Sequence, residues 1–169
     1  MQKSFAPLVD SHSKILILGS LPGVQSLAAN EYYANAQNHF WRIIFTIFGS
    51  PKETGYKGKC QLLLANKIAL WDVAKSAERK GSLDSNIKNL APNKIPGLLR
   101  KYPSIGFLLF NGAFAYTTYR RHFGEPALPF EKLLSTSPAC AGRDAERLFM
   151  WQRAIKKGLA LPQDLSDPF

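Results

Sequence analysis

Acidic residues are scarce in this chain. Twelve Asp and Glu stand against 22 Lys and Arg in 169 residues, a formal charge of +10 at pH 7. Such an excess points to a polyanionic partner, most often nucleic acid, although charge alone also fits a merely basic protein. Cysteine is nearly absent too. Cys60 and Cys140 cannot make a disulfide framework, lack metal-ligand spacing, and fall short of the four ligands an iron–sulfur cluster usually needs. They read as two reduced thiols of a cytosolic protein. The three histidines, His12, His39 and His122, show no triad or metal spacing, and no serine sits in a G-x-S-x-G elbow. Serine-nucleophile and metallo-hydrolase chemistry are thereby disfavoured. No apolar run approaches the roughly 18–20 residues that span a bilayer. Residues Met1 to Asp10 carry one lysine and no apolar core, so no signal peptide is expected and the expected location is cytoplasmic. Repeats, low-complexity tracts and long linkers are missing, which predicts one domain over residues 1–169, long enough to bury a core.

Short apolar runs are present. Lys14 to Leu18, Lys67 to Trp71, Ile105 to Phe110 and Lys132 to Ser135 read as strands covered on both faces. Helical patterns fill the gaps: His39 to Phe48, Pro92 to Lys101, Ala113 to His122 and Arg143 to Lys157. This alternation predicts an α/β sandwich with a mostly parallel sheet. Ligands in such folds bind beyond the carboxyl ends of the strands. Four segments lie at such ends: Gly19-Ser20-Leu21-Pro22-Gly23, Asp72, Asn111-Gly112 and Ser135-Thr136-Ser137-Pro138.

Gly19 to Gly23 lacks the lysine and spacing of a phosphate loop, so its first reading is a bend after a strand. The stretch Tyr32 to Trp41 is richer in chemistry. Phe40 and Trp41 open an apolar helix and read as core. Tyr32 or Tyr33 suits stacking on a planar base, an interaction of about 1–3 kcal/mol. Asn38 fits either a helix N-cap or a functional amide. Asp72 fits a general base, a ligand's hydrogen-bond partner or a loop cap. Arg120, Arg121 and His122 end one helix, and Arg143, Arg147, Arg153, Lys156 and Lys157 decorate the last, where a solvated face is the plain reading. Arg143 follows the Ser135 loop closely enough to meet a phosphate.

These motifs together resemble the uracil-DNA glycosylase superfamily, and within it the DNA-deoxyinosine (hypoxanthine-DNA) glycosylases. The likeness is carried by Ile15 to Gly23, Tyr32-Tyr33-Ala34, Asn38 with Phe40-Trp41, Ala69 to Val73, Gly81-Ser82-Leu83-Asp84 and Ser135 to Ala139, in the family's order. It implies a three-layer α/β/α sandwich with a four-stranded, mainly parallel sheet. It implies cleavage of the N-glycosidic bond of a deaminated base in damaged DNA by a monomer of a bacterial or archaeal cell, with no cofactor, metal or iron–sulfur cluster. In many relatives the first loop carries an Asp or Asn that positions water. Ser20 and Leu21 offer neither, which leaves them to the base-binding wall. The inosine-cleaving relatives use an Asn before Phe-Trp, which makes Asn38 the catalytic candidate. Tyr33 takes the stacking position and Asp72 a base-recognising one. Ser135, Ser137, Pro138, Ala139, Cys140 and Arg143 take the DNA-contacting positions.

Two positions depart from the pattern. Asn35-Ala36 stands where His-Pro is expected, and Cys140 where an Asn is usual. They leave two other classes open: a non-catalytic DNA-binding module on this fold, and an α/β enzyme acting on a free nucleoside. Among bases, uracil is the rival to hypoxanthine.

Overall fold

The computed structural model describes residues 1–162. In chain order its elements are β1 (Gln2–Lys3), β2 (Ile15–Gly19), α1 (Val24–Ala29), α2 (Phe40–Phe48), α3 (Gly55–Ala65) and β3 (Ile68–Asp72). They continue as β4 (Ala74–Glu78), β5 (Lys88–Pro92), α4 (Ile95–Lys101), β6 (Phe107–Asn111), α5 (Ala113–Phe123), β7 (Phe130–Leu133) and α6 (Asp144–Ala160). The four apolar runs form one sheet in the order β3-β2-β6-β7, with every neighbouring pair parallel.

β2 and β6 are buried along their whole lengths, which is why their sequences are continuously apolar rather than alternating. Ile15 and Ile17 face one layer, where they share a core with Phe40 and Ile44 of α2, Leu63 of α3 and Trp151 of α6. Leu16 and Leu18 face the other, with Ile95 and Leu98 of α4 and Ala115 and Tyr119 of α5. The result is the expected α/β/α sandwich. Its parallel strands bring Gly19, Asp72, Asn111 and Leu133 to one edge. No helix among the described residues is long and apolar enough to cross a membrane.

Three local expectations shift. The last strand ends at Leu133, not Ser135, because Asn111 captures the chain beyond it: Thr136 N–H donates to Asn111 Oδ1 at 2.9 Å. Pro92 does not open a helix. It pairs with Ala74 in β5, and α4 begins at Ile95 after Asn93 has tied itself to the carbonyls of Asp72 and Ala74 at 2.8 and 3.1 Å. A second, antiparallel sheet, β1-β4-β5, escapes the sequence reading altogether. Its strands are short and half exposed, so they carry no apolar run to detect.

Candidate active site

A cavity of about 690 Å³ opens at the carboxyl edge of the parallel sheet. It is walled by the Gly19–Gly23 loop, Tyr33, Asn35, Asn38, Asp72, the Ser82–Ser85 turn, Asn111 and Ser135 to Cys140. All base-binding and catalytic candidates therefore meet in one place. So do the DNA-contacting candidates except Arg143, which is exposed and outside this lining.

Asp72 ends β3 and is 4% exposed. Its Oδ2 is the one buried side-chain polar atom among the described residues without a hydrogen-bond partner. Burial, then the nearby Asp84 carboxylate, pushes its pKa up to about 7, while Arg79 opposes the rise. A carboxyl so placed holds its proton near neutral pH and can donate as well as accept. Gly19 makes the placement possible. A Cβ there would lie 2.6 Å from Asp72 Oδ1 and 3.0 Å from the Tyr33 hydroxyl, so these two groups converge over a residue without a side chain.

Both tyrosines line the cavity. Tyr32 is 4% exposed, donates to the Ala6 carbonyl and packs edge-on against Phe5, so it belongs mainly to the core. Tyr33 is less buried. Its ring stacks on Phe40 with centroids 4.1 Å apart, and its hydroxyl accepts from Asn111 Nδ2 at 2.9 Å. Tyr33 has left-handed backbone, φ 55°, a conformation costing of order 1–3 kcal/mol in a non-glycine residue. Stacking and hydroxyl contact hold it there. Phe40 and Trp41 are buried core, as their pattern predicts.

Asn38 lies one residue before His39, the N-cap of α2. Its Oδ1 accepts the Phe40 N–H at 3.0 Å at the start of α2, which fixes the side chain while it lines the cavity. The carbonyl oxygen keeps a second lone pair and the amide its two donors. Asn35 shapes the turn before it, accepting Gln37 N–H on Oδ1 and Asn38 N–H on its carbonyl, each at 2.9 Å.

Two arginines with buried side chains hold the loops: Arg147, which the sequence reading placed on a solvated face, and Arg79, to which it gave no place. Arg79 donates to the carbonyls of Leu21 at 3.2 Å and of Pro22, and lies 3.7 Å from Asp84. Asp84 in turn accepts the Ser20 hydroxyl at 2.7 Å. Leu21 is buried in a small cluster with Ala74 and Ala77. Arg147, 1% exposed, donates to the carbonyls of Ser135 at 2.8 Å, Gly142 at 3.1 Å and Cys140, and to Asp144 at 2.6 Å. Within that loop the hydroxyls of Ser135 and Ser137 accept the N–H groups of Ser137 and Ala139. Gly112, φ 93°, lets the loop close in, since a Cβ there would stand 3.0 Å from Ser135 Cβ. Arg143 precedes α6 and pairs with Glu146 at 2.6 and 2.7 Å.

Sequence reasoning put Asn111 at a ligand-facing strand end without giving it a role, and it missed Asp84, Arg79 and Arg147 as parts of this site. Asn111 had a visible signal, a polar residue closing an apolar strand. Asp84 had a weaker one, its place in Gly81 to Asp84. The arginines had none, because their burial depends on a loop 57 and 58 residues away for Arg79 and on the Ser135–Gly142 loop for Arg147.

Residues 6–157 match the family model of the uracil DNA glycosylase superfamily. The hypoxanthine DNA glycosylase of Methanosarcina barkeri is 35% identical over 159 residues, covering 92% of this chain and 99% of that protein. Its Methanosarcina acetivorans namesake is 37% identical over 113 residues, covering 66% and 72%. A solution NMR structure from Methanosarcina acetivorans, of a candidate uracil DNA glycosylase, superposes with a TM-score of 0.78 at 32% identity, over 93% of this chain and 98% of that one. By the family match, the length of the alignment and the shared fold, this chain belongs to the uracil DNA glycosylase superfamily.

Proposed function

We propose that this DNA glycosylase hydrolyses the N-glycosidic bond of deoxyinosine in damaged DNA, releasing hypoxanthine from a nucleotide turned out of the helix. The observation that carries the reading is the Asp72 carboxyl, buried at the cavity wall with one oxygen unpartnered. A buried polar atom left without a protein partner takes one from water or from a ligand, and the cavity beside it admits both. The two relatives named as hypoxanthine DNA glycosylases favour this base over uracil.

A stacked duplex hides the bond, so the nucleotide must leave the stack at a cost of a few kcal/mol, least where pairing is already poor. The +10 chain, with Ser135, Ser137, Pro138, Ala139 and Cys140 at the cavity and Arg143 beside it, holds the strand by its phosphates. The base enters against Tyr33, whose other face is backed by Phe40. Ser20 and Leu21 wall the pocket. As the C1′–N9 bond breaks, its electron pair moves onto the base and C1′ gains oxocarbenium character. Protonated Asp72 donates to the departing base and steadies that charge. Water held by the free lone pair of Asn38, whose amide can also reach the base, bonds to C1′, and the proton it releases passes to the departing base, which leaves as neutral hypoxanthine. Amides are weak bases, so positioning and electrostatics supply most of the rate.

Single-turnover excision from matched oligonucleotides carrying inosine, uracil or xanthine, single- and double-stranded, tests the reading. The expected result is an abasic site from inosine with uracil slower. Duplex binding without excision of any base would make the chain a binding module, and cleavage of free inosine alone would make it a nucleoside enzyme; either overturns the proposal.

A further inference from the structure

We propose that a basic groove between α5 and β5 is a second nucleic-acid subsite, in which Lys88 and Arg121 hold phosphates of the DNA strand as it leaves the cavity. The inference rests on DNA reaching the cavity, as the excision reading requires, and adds the path of the flanking strand. The groove has a volume of about 460 Å³. Phe114, in the first turn of α5, lines both this groove and the cavity, so the two spaces meet at its ring. From there the groove follows one stripe of α5: Phe114, Thr117, Thr118, Arg121 and His122 recur at the spacing of a single helix face. Ala115 and Tyr119 of the same helix pack on the sheet, which leaves that stripe to the groove.

The opposite bank is anchored. Ile87 and Leu90 pack against Leu21, Ala74 and Ala77, which fixes the strand that carries Lys88. The lining holds three basic side chains, those of Lys88, Arg121 and His122, and no acidic one. Lys88 and Arg121 are exposed, and neither forms an ion pair among the described residues. The carboxylates close by in the chain are taken. Glu125 pairs with Arg120 at 3.3 Å and accepts the Tyr116 hydroxyl at 2.9 Å, and Glu78 accepts Asn89 Nδ2 at 3.1 Å. The helix dipole accounts for cations in the last turn of α5, but not for Lys88, which meets them from β5 across the groove. Seven residues separate Phe114 from Arg121, about 10 Å along a helix, and one DNA strand carries a charge about every 3.4 Å of its axis. The groove therefore takes about three nucleotides beside the one in the cavity.

Equilibrium binding of a labelled inosine·cytosine duplex and of its undamaged counterpart, measured across a range of salt, tests the groove. Lys88→Gln and Arg121→Gln should each flatten the slope of log affinity against log salt by about 1, and the double variant by about 2, on both duplexes alike. Arg121→Lys should keep the wild-type slope. Lys101→Gln, which removes the same charge from the end of α4, on the amino side of β6 and away from the cavity, should keep it too. Single-turnover excision by the double variant should need more duplex for half-saturation, with the saturated rate within about twofold of wild type, because the groove touches no reacting atom. Melting temperatures should be unchanged, since both side chains are exposed. A wild-type slope in the double variant would overturn the DNA path, leave the groove to an acidic protein segment and leave the excision reading intact. A saturated rate that falls as far as the affinity would overturn the path as well. Duplex binding with the expected slopes but no excision by the wild type would overturn the excision reading and leave the groove standing.

Discussion

Arg79 and Arg147 each lie buried behind one wall of the cavity, and each grips a loop by its backbone carbonyls. Arg79 takes those of Leu21 and Pro22; Arg147 takes those of Ser135, Cys140 and Gly142. Each also has an aspartate, Asp84 at 3.7 Å and Asp144 at 2.6 Å. The aspartates differ. Asp84 lines the cavity, and burial raises its pKa against the pull of Ser20 and Arg79. Asp144 is exposed and faces His39 and Arg42, with its pKa lowered first by the Arg147 hydrogen bond. One clamp thus enters the electrostatics of Asp72, and the other only shapes the Ser135–Gly142 wall. The same device, a buried guanidinium satisfied by carbonyls, stands beside a buried carboxyl in one case and under a loop alone in the other. What separates them is whether the counter-ion lines the cavity.

Replacing either arginine by methionine breaks the comparison most severely. Each change is expected to cost about 1–3 kcal/mol, because loop carbonyls lose a buried donor while the aspartates stay solvated; denaturant unfolding measures it. The two should then part. Arg79→Met moves the upper pH midpoint of excision higher, since Arg79 opposes the rise in Asp72 pKa, while Arg147→Met leaves it in place. Equal midpoints would dissolve the distinction between the walls.

Asn38 lies on neither clamp. Asn38→Ala is expected to lower single-turnover excision by about 10²–10³, the range for one lost electrostatic group in a site. Its cost in stability should be about 1 kcal/mol, from the lost Phe40 contact. A normal rate on inosine-containing duplex would remove Asn38 from the catalytic role.

Asp72 sharpens the comparison through pH. Its folded pKa, about 7, exceeds the ordinary carboxyl value of 3.8. Between those values the folded chain holds a proton that the unfolded chain has released, so stability falls as pH rises and the full penalty is present above about 7. Asp72→Asn should flatten that fall and raise stability at pH 8 by up to a few kcal/mol. Wild-type excision should decline as pH rises through about 7, and Asp72→Asn, still a donor, should keep activity without that limb. A rising wild-type limb would mean the carboxylate, not the acid, does the work.

Tyr33 gives the smallest effects. Tyr33→Ala removes the stacking face and should weaken binding of inosine-containing DNA by about 1–3 kcal/mol. Tyr33→Phe should keep most binding and lose about 1 kcal/mol of stability, because an Asn111 donor loses its acceptor. A hydroxyl deletion as damaging as ring deletion would refute stacking as the role.

Much of this was legible in the chain. The strands showed as apolar runs because burial on both faces demands nothing else of them, and Phe40 and Trp41 announced their place by helical spacing. Asn38 and Asp72 could be singled out as residue types at strand and helix ends, but their surroundings could not. Arg147 looked like any charge on an amphipathic helix; only the loop folded over it makes it buried.

By itself the sequence determined the four parallel strands, their layers and the edge where a site must form, since these follow from local periodicity and the need to cover apolar faces. Tertiary structure decided the rest. It tied Tyr32 to the Ala6 carbonyl and stacked Tyr33 on Phe40, raised the pKa of Asp72 to about 7, buried two arginine side chains and left Leu83 bare. Each of these outcomes depends on desolvation and on contacts between segments distant in the chain, and no local pattern encodes either.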